Sequence, residues 1–197
     1  MTLVDTVRTA ATAVPILEVL AERWSPRAFD PRGEVEDAAI DRALEAARWT
    51  PSANNSQPWR FVVARRGSPT FHLVHGSLAG VNRTWADKAA VLVVSIAEVA
   101  DADGRPRPWS HYDLGQSVAY LTAQVHHDGL HAHQMAGFDT EALRAALSLP
   151  PRLDPVTVVA VGPLGDADAL PEPLRERERA PRQRRAVTDL VLHRDPA

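Results

Sequence analysis

Trp49-Thr-Pro-Ser-Ala-Asn-Asn-Ser-Gln-Pro-Trp59, followed at once by Arg60-Phe-Val-Val-Ala64, joins the clearest helical pattern of the chain to its first apolar run. Between the two tryptophans, Thr50 to Pro58 is rich in Ser and Asn, has a Pro near each end and carries no charge. Such side chains compete for backbone donors and acceptors and hold a fixed turn. A rigid, uncharged, hydrogen-bonding loop at a helix–strand junction suits a flat polar ligand such as a heterocycle. A well-capped surface turn would use the same residues, although loops are where function gathers.

Working upstream, Ile40, Ala43, Leu44 and Ala47 recur at helical spacing with Asp41, Arg42 and Glu45 opposite, which predicts a helix over 34–49. Glu34, Glu36 and Asp37 crowd its first turns, where negative charge suits the helix dipole. A shorter helix over 16–22 ends ahead of Ser25-Pro26, because the residue before a proline disfavours helix. Arg23 and Arg27 then flank Ser25, and their planar forks would suit one anion, a phosphate above all. A pair of solvated arginines would read the same.

Working downstream, Phe61–Ala64 predicts a strand, and the alternation of Phe71–His75 a second. Ala89–Ala97, small and β-branched, predicts a third, buried on both faces. Asp101–Trp109 reads as a loop and as the candidate lid. Asp113 is the expected N-cap of a helix over 114–127, with Leu114, Val118, Leu121 and Val125 on one stripe and Asp128-Gly129 as its stop. Gly115, Ser117 and Ala119 are small enough to admit a second helix closely. His131 and His133 share a face of an extended segment, but no third ligand lies nearby, so no metal is expected. Asp139 should cap a helix over 140–147, and Val156–Val161 is the last core strand. Strands dispersed among helices without a regular βαβ beat indicate an α+β fold.

Composition narrows the functional classes. A chain of 197 residues with 45% hydrophobic residues is one domain with a sizeable core. A net charge of −3 gives no electrostatic case for nucleic acid or for an anionic membrane. The absence of cysteine excludes disulfides, thiolate catalysis and Cys-ligated metals. Met1–Leu20 contains Asp5 and no long apolar core, unlike a secretory signal, and a cytoplasmic location is expected. From Asp166 onward Pro, Glu and Arg dominate, a composition that does not fold alone, yet Ala186–Leu192 is apolar. The expected organisation is a domain over 1–165 and an extension over 166–197 that wraps a partner subunit.

Four motifs stand in order along nearly the whole chain: Arg23-x-Ser25-x-Arg27-x-Phe29, Pro51-Ser52-Ala53-x-Asn55-x-Gln57-Pro58-Trp59, Gln134-Met-Ala-Gly-Phe-Asp139 and Arg182-x-Arg184. As a set they resemble the FMN-dependent nitroreductase family. The resemblance implies a mostly antiparallel sheet flanked by helices, and a homodimer with FMN at two interface sites and the C-terminal segments exchanged. It implies that Arg23, Ser25, Arg182 and Arg184 hold the FMN phosphate, with Trp24 used through its backbone. Arg27 would lie at the pyrimidine edge, where a cation stabilises the reduced ring. Asn82 would bond the pyrimidine side, while Pro51, Ser52, Ala53 and Asn55 would come from the other subunit. Met135, Ala136 and Gly137 would contribute backbone, with the N–H of Ala136 near flavin N5, and no side chain is implied as a catalytic acid or base.

Two departures limit this transfer: Trp24 stands where basic residues or His are common, and Ala136 where Glu or Gly is, so only backbone roles carry over. The insertion that covers the substrate is reduced here to Asp101–Trp109, which makes Trp85, Trp109 and His111 the expected pocket walls. The implied activity is ping-pong hydride transfer from NAD(P)H through FMN to a nitroaromatic, a quinone or a similar small acceptor. A flavin-dependent dehydrogenase of a small natural product and a non-catalytic FMN-binding or storage protein are the alternatives.

Overall fold

Four strands build a single antiparallel sheet in the computed structural model, which describes residues 8–195. They are β1 (Trp59–Arg65), β2 (Val91–Glu98), β3 (His131–Met135) and β4 (Leu153–Gly162), laid side by side in the order β1-β2-β4-β3. The two central strands carry the apolar runs, and every residue of β2 is buried. Side chains alternate across a pleated strand. Leu92, Val94 and Ile96 therefore enter one core layer with Phe71, Val74, Leu78 and Trp85. Val91, Val93 and Ala97 enter the other with Ala43, Ala47, Leu114, Val118 and Leu121.

That second layer is roofed by α2 (Asp37–Arg48) and α4 (Ser110–His127). The stripe of Leu114, Val118, Leu121 and Val125 is buried as its spacing predicts. Ser117 lies between the helices and donates from Oγ to the Ala47 carbonyl at 3.0 Å. The small side chains at both positions allow this approach. A short α1 (Glu18–Glu22) precedes α2, and α5 (Thr140–Ala146) is capped by Asp139, which accepts from the Ala142 N–H at 2.9 Å.

The structure corrects several expectations. Residues 71–75 are helical, inside α3 (Pro69–Ser77), and not a strand. Ser68 caps this helix by accepting from the Phe71 N–H at 3.1 Å, and Pro69 occupies its first turn, where a missing N–H costs nothing. Phe71 and Val74, three apart, face the core, which the Phe71-Leu73-His75 alternation concealed. Asp113 is not a cap: α4 begins at Ser110, so Asp113 lies buried in its first turn. Trp85 is no pocket wall, being 1% exposed and stacked on Phe29 with ring centroids 6.1 Å apart.

The chain does not leave its own core at 165. Leu170 and Leu174 are buried in this chain's own apolar layer, and α6 (Leu174–Arg179) packs with them. Beyond it α7 (Val187–Leu190) presents Val187 and Leu190 to solvent, and Leu192 follows it exposed. The expectation drawn from Met1–Leu20 lies partly outside the described residues. No described helix is long and apolar enough to cross a membrane.

Candidate functional site

The segment that carries Arg27 is fixed from two sides. Gly165 donates to the Ala28 carbonyl at 2.9 Å and Asp30 to that of Pro163 at 3.1 Å, so the early segment pairs with the end of β4. A Cβ at Gly165 would fall 2.4 Å from the Phe29 carbonyl carbon, which leaves only glycine for this approach. On the other side Glu178 of α6, 2% exposed, accepts from the N–H of Arg27 at 2.9 Å and of Ala28 at 3.2 Å. The Arg182 guanidinium donates to the carbonyls of Arg8 at 2.7 Å and Ala21 at 2.6 Å, which fastens the C-terminal stretch to the N-terminal one.

These ties border an open cavity of about 280 Å³. Among the described residues, six arginines line it (Arg8, Arg23, Arg27, Arg177, Arg182 and Arg184), with Trp24 and Ser25 and without a carboxylate. Glu178, 3.9 Å from the Arg27 guanidinium, is committed to backbone donors. Burial, then repulsion from Arg182 and Arg184, holds the Arg23 pKa below its usual value. Arg182 is lowered too, by burial and then by Arg184 and Arg8. Arg23 Nη2 donates to Ser25 Oγ at 3.3 Å, but its Nε is buried with no partner. Crowded cations with an unpaired buried donor and a hydroxyl match a phosphate in charge and in hydrogen bonding.

Two imidazoles nearby stay neutral. Burial pushes His133 down to about 4, with Arg27 adding to the shift and a hydrogen bond to the Pro26 carbonyl at 2.8 Å opposing it. His131 is likewise held at about 4, by burial and then by His126.

The Ser52–Pro58 loop is elsewhere. It lines a second cavity of about 300 Å³ with Pro51, Ser52, Ala53, Trp109, Tyr112, Asp113 and Gln116. The two cavities share no residue. Asn54, Asn55 and Gln57 adopt positive φ values of 53°, 53° and 46°. Hydrogen bonds hold this shape: Ala53 N–H donates to Asp113 Oδ2 at 3.1 Å and Gln57 N–H to Ser52 Oγ at 3.0 Å. Asn55 is exposed.

Asn82 meets the end of β3, donating from Nδ2 to the Gly137 carbonyl at 3.3 Å. Ala136 and Gly137 are exposed there, while Met135 is buried. Of the expected pocket walls, Trp109 lines the second cavity. His111 does not; its Nε2 is 2.8 Å from Asp154 Oδ2. The Asp101–Trp109 loop is a closed turn, in which Asp101 Oδ1 accepts from the N–H of Asp103 and of Arg105, both at 2.9 Å.

Sequence reasoning missed Tyr112, Asp113 and Gln116, which share a face with Trp109 at helical spacing once α4 is known to start at Ser110. It also missed Arg8, Arg177 and Glu178, for which no local pattern gave a signal.

Comparison with known proteins places this geometry. The family model described as Nitroreductase family matches residues 20–163. An uncharacterised 15.4 kDa protein of Mycolicibacterium smegmatis is 37% identical, the match covering 68% of this chain and 94% of that protein. The oxygen-insensitive NAD(P)H nitroreductase of Salmonella typhimurium is 28% identical, with 75% of this chain and 88% of the relative covered. Among solved structures, an oxidoreductase containing FMN superposes with a TM-score of 0.87 at 34% identity, covering 93% of each chain.

Proposed function

The chain belongs to the nitroreductase family, and we propose that it is an FMN-dependent oxidoreductase that passes hydride from NAD(P)H to a nitroaromatic, a quinone or a similar small acceptor in ping-pong fashion. The observation that carries this reading is the cavity lined, among the described residues, by six arginines and no carboxylate, in which Arg23 Nε is buried and unpaired. Its donor set fits the phosphate of FMN. The FMN named for one similar structure and the nitroreductase activity named for one relative support the same reading.

Arg23, Ser25, Arg182 and Arg184 would hold the phosphate, with the Trp24 backbone beside them. Arg27, whose main chain Glu178 fixes, would offer its guanidinium to the pyrimidine edge. Asn82, Met135, Ala136 and Gly137 would border the ring, the last three through backbone and Ala136 through its N–H toward N5. When bound, FMN supplies two-electron hydride chemistry at N5. The residues themselves bind, orient and exclude water; none is required as an acid or base.

Pro51, Ser52, Ala53 and Asn55 would serve the other subunit's flavin in a homodimer. Their separation from the arginine cavity supports this, since one chain does not bring the two sets to one cleft. Trp109 and Tyr112, 62% and 67% exposed, would wall the acceptor pocket. The exchanged segment would begin past Arg184, where Val187, Leu190 and Leu192 are exposed, and not at 166. A cytoplasmic location fits a reaction that consumes NAD(P)H.

The test is spectroscopic. Purified protein loaded with FMN should be yellow, be bleached by NADH or NADPH, and regain colour when a nitroaromatic or a quinone is added. Colour that neither nicotinamide bleaches would support a storage protein. Recovery with oxygen alone would support a dehydrogenase of a small natural product.

A further inference from the structure

Glu98, the last residue of β2, is 4% exposed, and its carboxylate is shared by three guanidinia. Oε2 accepts from Arg60 Nη2 at 2.7 Å and from Arg107 Nη1 at 2.9 Å, while Oε1 pairs with Arg152 Nη1. Two of these arginines continue to the loop. Arg107 Nη1 also donates to the Ser56 carbonyl at 3.0 Å. Arg60 Nη1 donates to the carbonyls of Gln57 at 3.0 Å and Trp59 at 2.7 Å. The N–H of Glu98 itself donates to the Pro58 carbonyl at 2.7 Å. Through Arg60 and Arg107 the buried carboxylate is thus linked to the carbonyls of Ser56, Gln57 and Trp59, while the main-chain N–H of Glu98 holds that of Pro58. Arg152 bonds to Glu98 but to no atom of the loop.

This arrangement answers a need of the loop. Asn54, Asn55 and Gln57 hold left-handed conformations, which residues other than glycine keep only when their surroundings fix them. Asp113 and Ser52 fix the front of the loop, and the Glu98 network is what fixes its back. Without the carboxylate, Arg60 and Arg107 would be neighbouring cations oriented only by the loop carbonyls they hold.

We infer that Glu98 is a positioning residue for the Ser52–Pro58 loop, acting through Arg60 and Arg107, and through the loop on the flavin site of the second subunit. The inference rests on the reading of that loop as a flavin contact. The competing role is a plain ionic knot that fastens the end of the sheet, and Arg152 separates the two. It belongs to the knot and not to the loop.

The experiment titrates the FMN-free homodimer with FMN, recording flavin fluorescence and the visible circular dichroism of the bound flavin, beside the unfolding midpoint without FMN. Glu98→Gln should raise the FMN dissociation constant about tenfold and alter the dichroism, and Arg107→Met should do so about threefold, as expected when a supporting contact is loosened. Arg152→Met should lower the unfolding midpoint while leaving FMN affinity and dichroism at wild-type values. Loss of affinity in Arg152→Met equal to that in Arg107→Met would overturn the inference. So would wild-type affinity and dichroism in both folded Glu98→Gln and Arg107→Met. If Glu98→Gln does not fold, the contrast between Arg107→Met and Arg152→Met decides. Wild-type protein that fails to bind FMN removes the flavin reading and this inference together, whereas FMN binding indifferent to these variants removes the inference alone.

Discussion

The arginine cavity and the Ser52–Pro58 loop treat their polar groups in opposite ways. In the cavity, Arg23 Nε is buried without a partner, and burial followed by repulsion from neighbouring guanidinia lowers the pKa of Arg23 and of Arg182, with no carboxylate among the described lining residues to relieve them. In the loop, Ala53 and Gln57 N–H donate to side-chain oxygens, and the carbonyls of Ser56, Gln57 and Pro58 accept from Arg107, Arg60 and Glu98. The first region is electrostatically incomplete, and an anion would complete it. The second is complete within its own chain and offers a finished surface outward. Ligand should therefore stabilise the cavity strongly by mass action, while the loop should keep its shape with or without ligand.

Acid should test the cavity side hardest. His133 is held at about 4 in the fold against about 6.5 in the unfolded chain, so its contribution is complete above pH 6.5 and is lost as pH falls toward 4. The unfolded state binds the proton more readily in that window, which costs ~1.4 kcal/mol per pH unit for this imidazole. His131 acts in the same direction. Unfolding midpoints of the FMN-free protein across this range should fall, and the slope should flatten in His133→Gln even though the substitution lowers stability at every pH. An unchanged slope in that variant would remove His133 from the account.

Arg23→Ala separates affinity from stability. It should weaken FMN by ~1.5–3 kcal/mol, the usual worth of a hydrogen bond to a charged group, and Arg184→Ala should act likewise. The FMN-free protein should lose little stability, because a crowded cation has been removed. Equal losses in FMN titration and in urea unfolding would show that the cavity is an ordinary structural cluster. Asp113→Ala should do the reverse at the loop. It leaves the Ala53 N–H without its acceptor, at ~1–3 kcal/mol of stability in urea unfolding without FMN. A negligible change there would mean that water replaces the carboxylate and that the loop is looser than its hydrogen bonds suggest.

How much of this was legible in the sequence followed the range of the interactions. The central strands and the stripe of α4 were readable because burial repeats at fixed spacing in neighbouring residues. So were the four motifs, whose residue types carry their chemistry with them. The Ser68-Pro69 start of α3 was written in the chain but lost to a competing alternation. Trp85 misled because its partner Phe29 is remote in sequence, and an indole beside Asn82 in a polar stretch resembles a pocket wall. Glu178 lies in an Arg-Glu run that reads as solvated, and only the fold brings it to the Arg27 and Ala28 N–H groups. Residue type pointed to the arginine cluster that the fold brings together, but not to what holds it in place.

The smallest expected effect asks whether the loop's shape belongs to its residues or to its surroundings. Gln57 has φ 46° and is neither Asn nor Gly, so it bears left-handed strain of roughly 1–2 kcal/mol. Gln57→Gly removes that strain but gives the unfolded chain more freedom, an opposing change of about 0.5–1 kcal/mol. It also removes the contact from Gln57 Nε2 to the Asn55 carbonyl, 3.3 Å and exposed, which contributes little. The backbone contacts at this position, its N–H to Ser52 and its carbonyl to Arg60, survive the change. A loop held by its surroundings should therefore gain roughly 0.5 kcal/mol in urea unfolding and keep its FMN affinity. Lost affinity without lost stability would mean that the glutamine side chain sets the conformation from within, and the contrast with the arginine cavity would then rest on Asp113 and Glu98 alone.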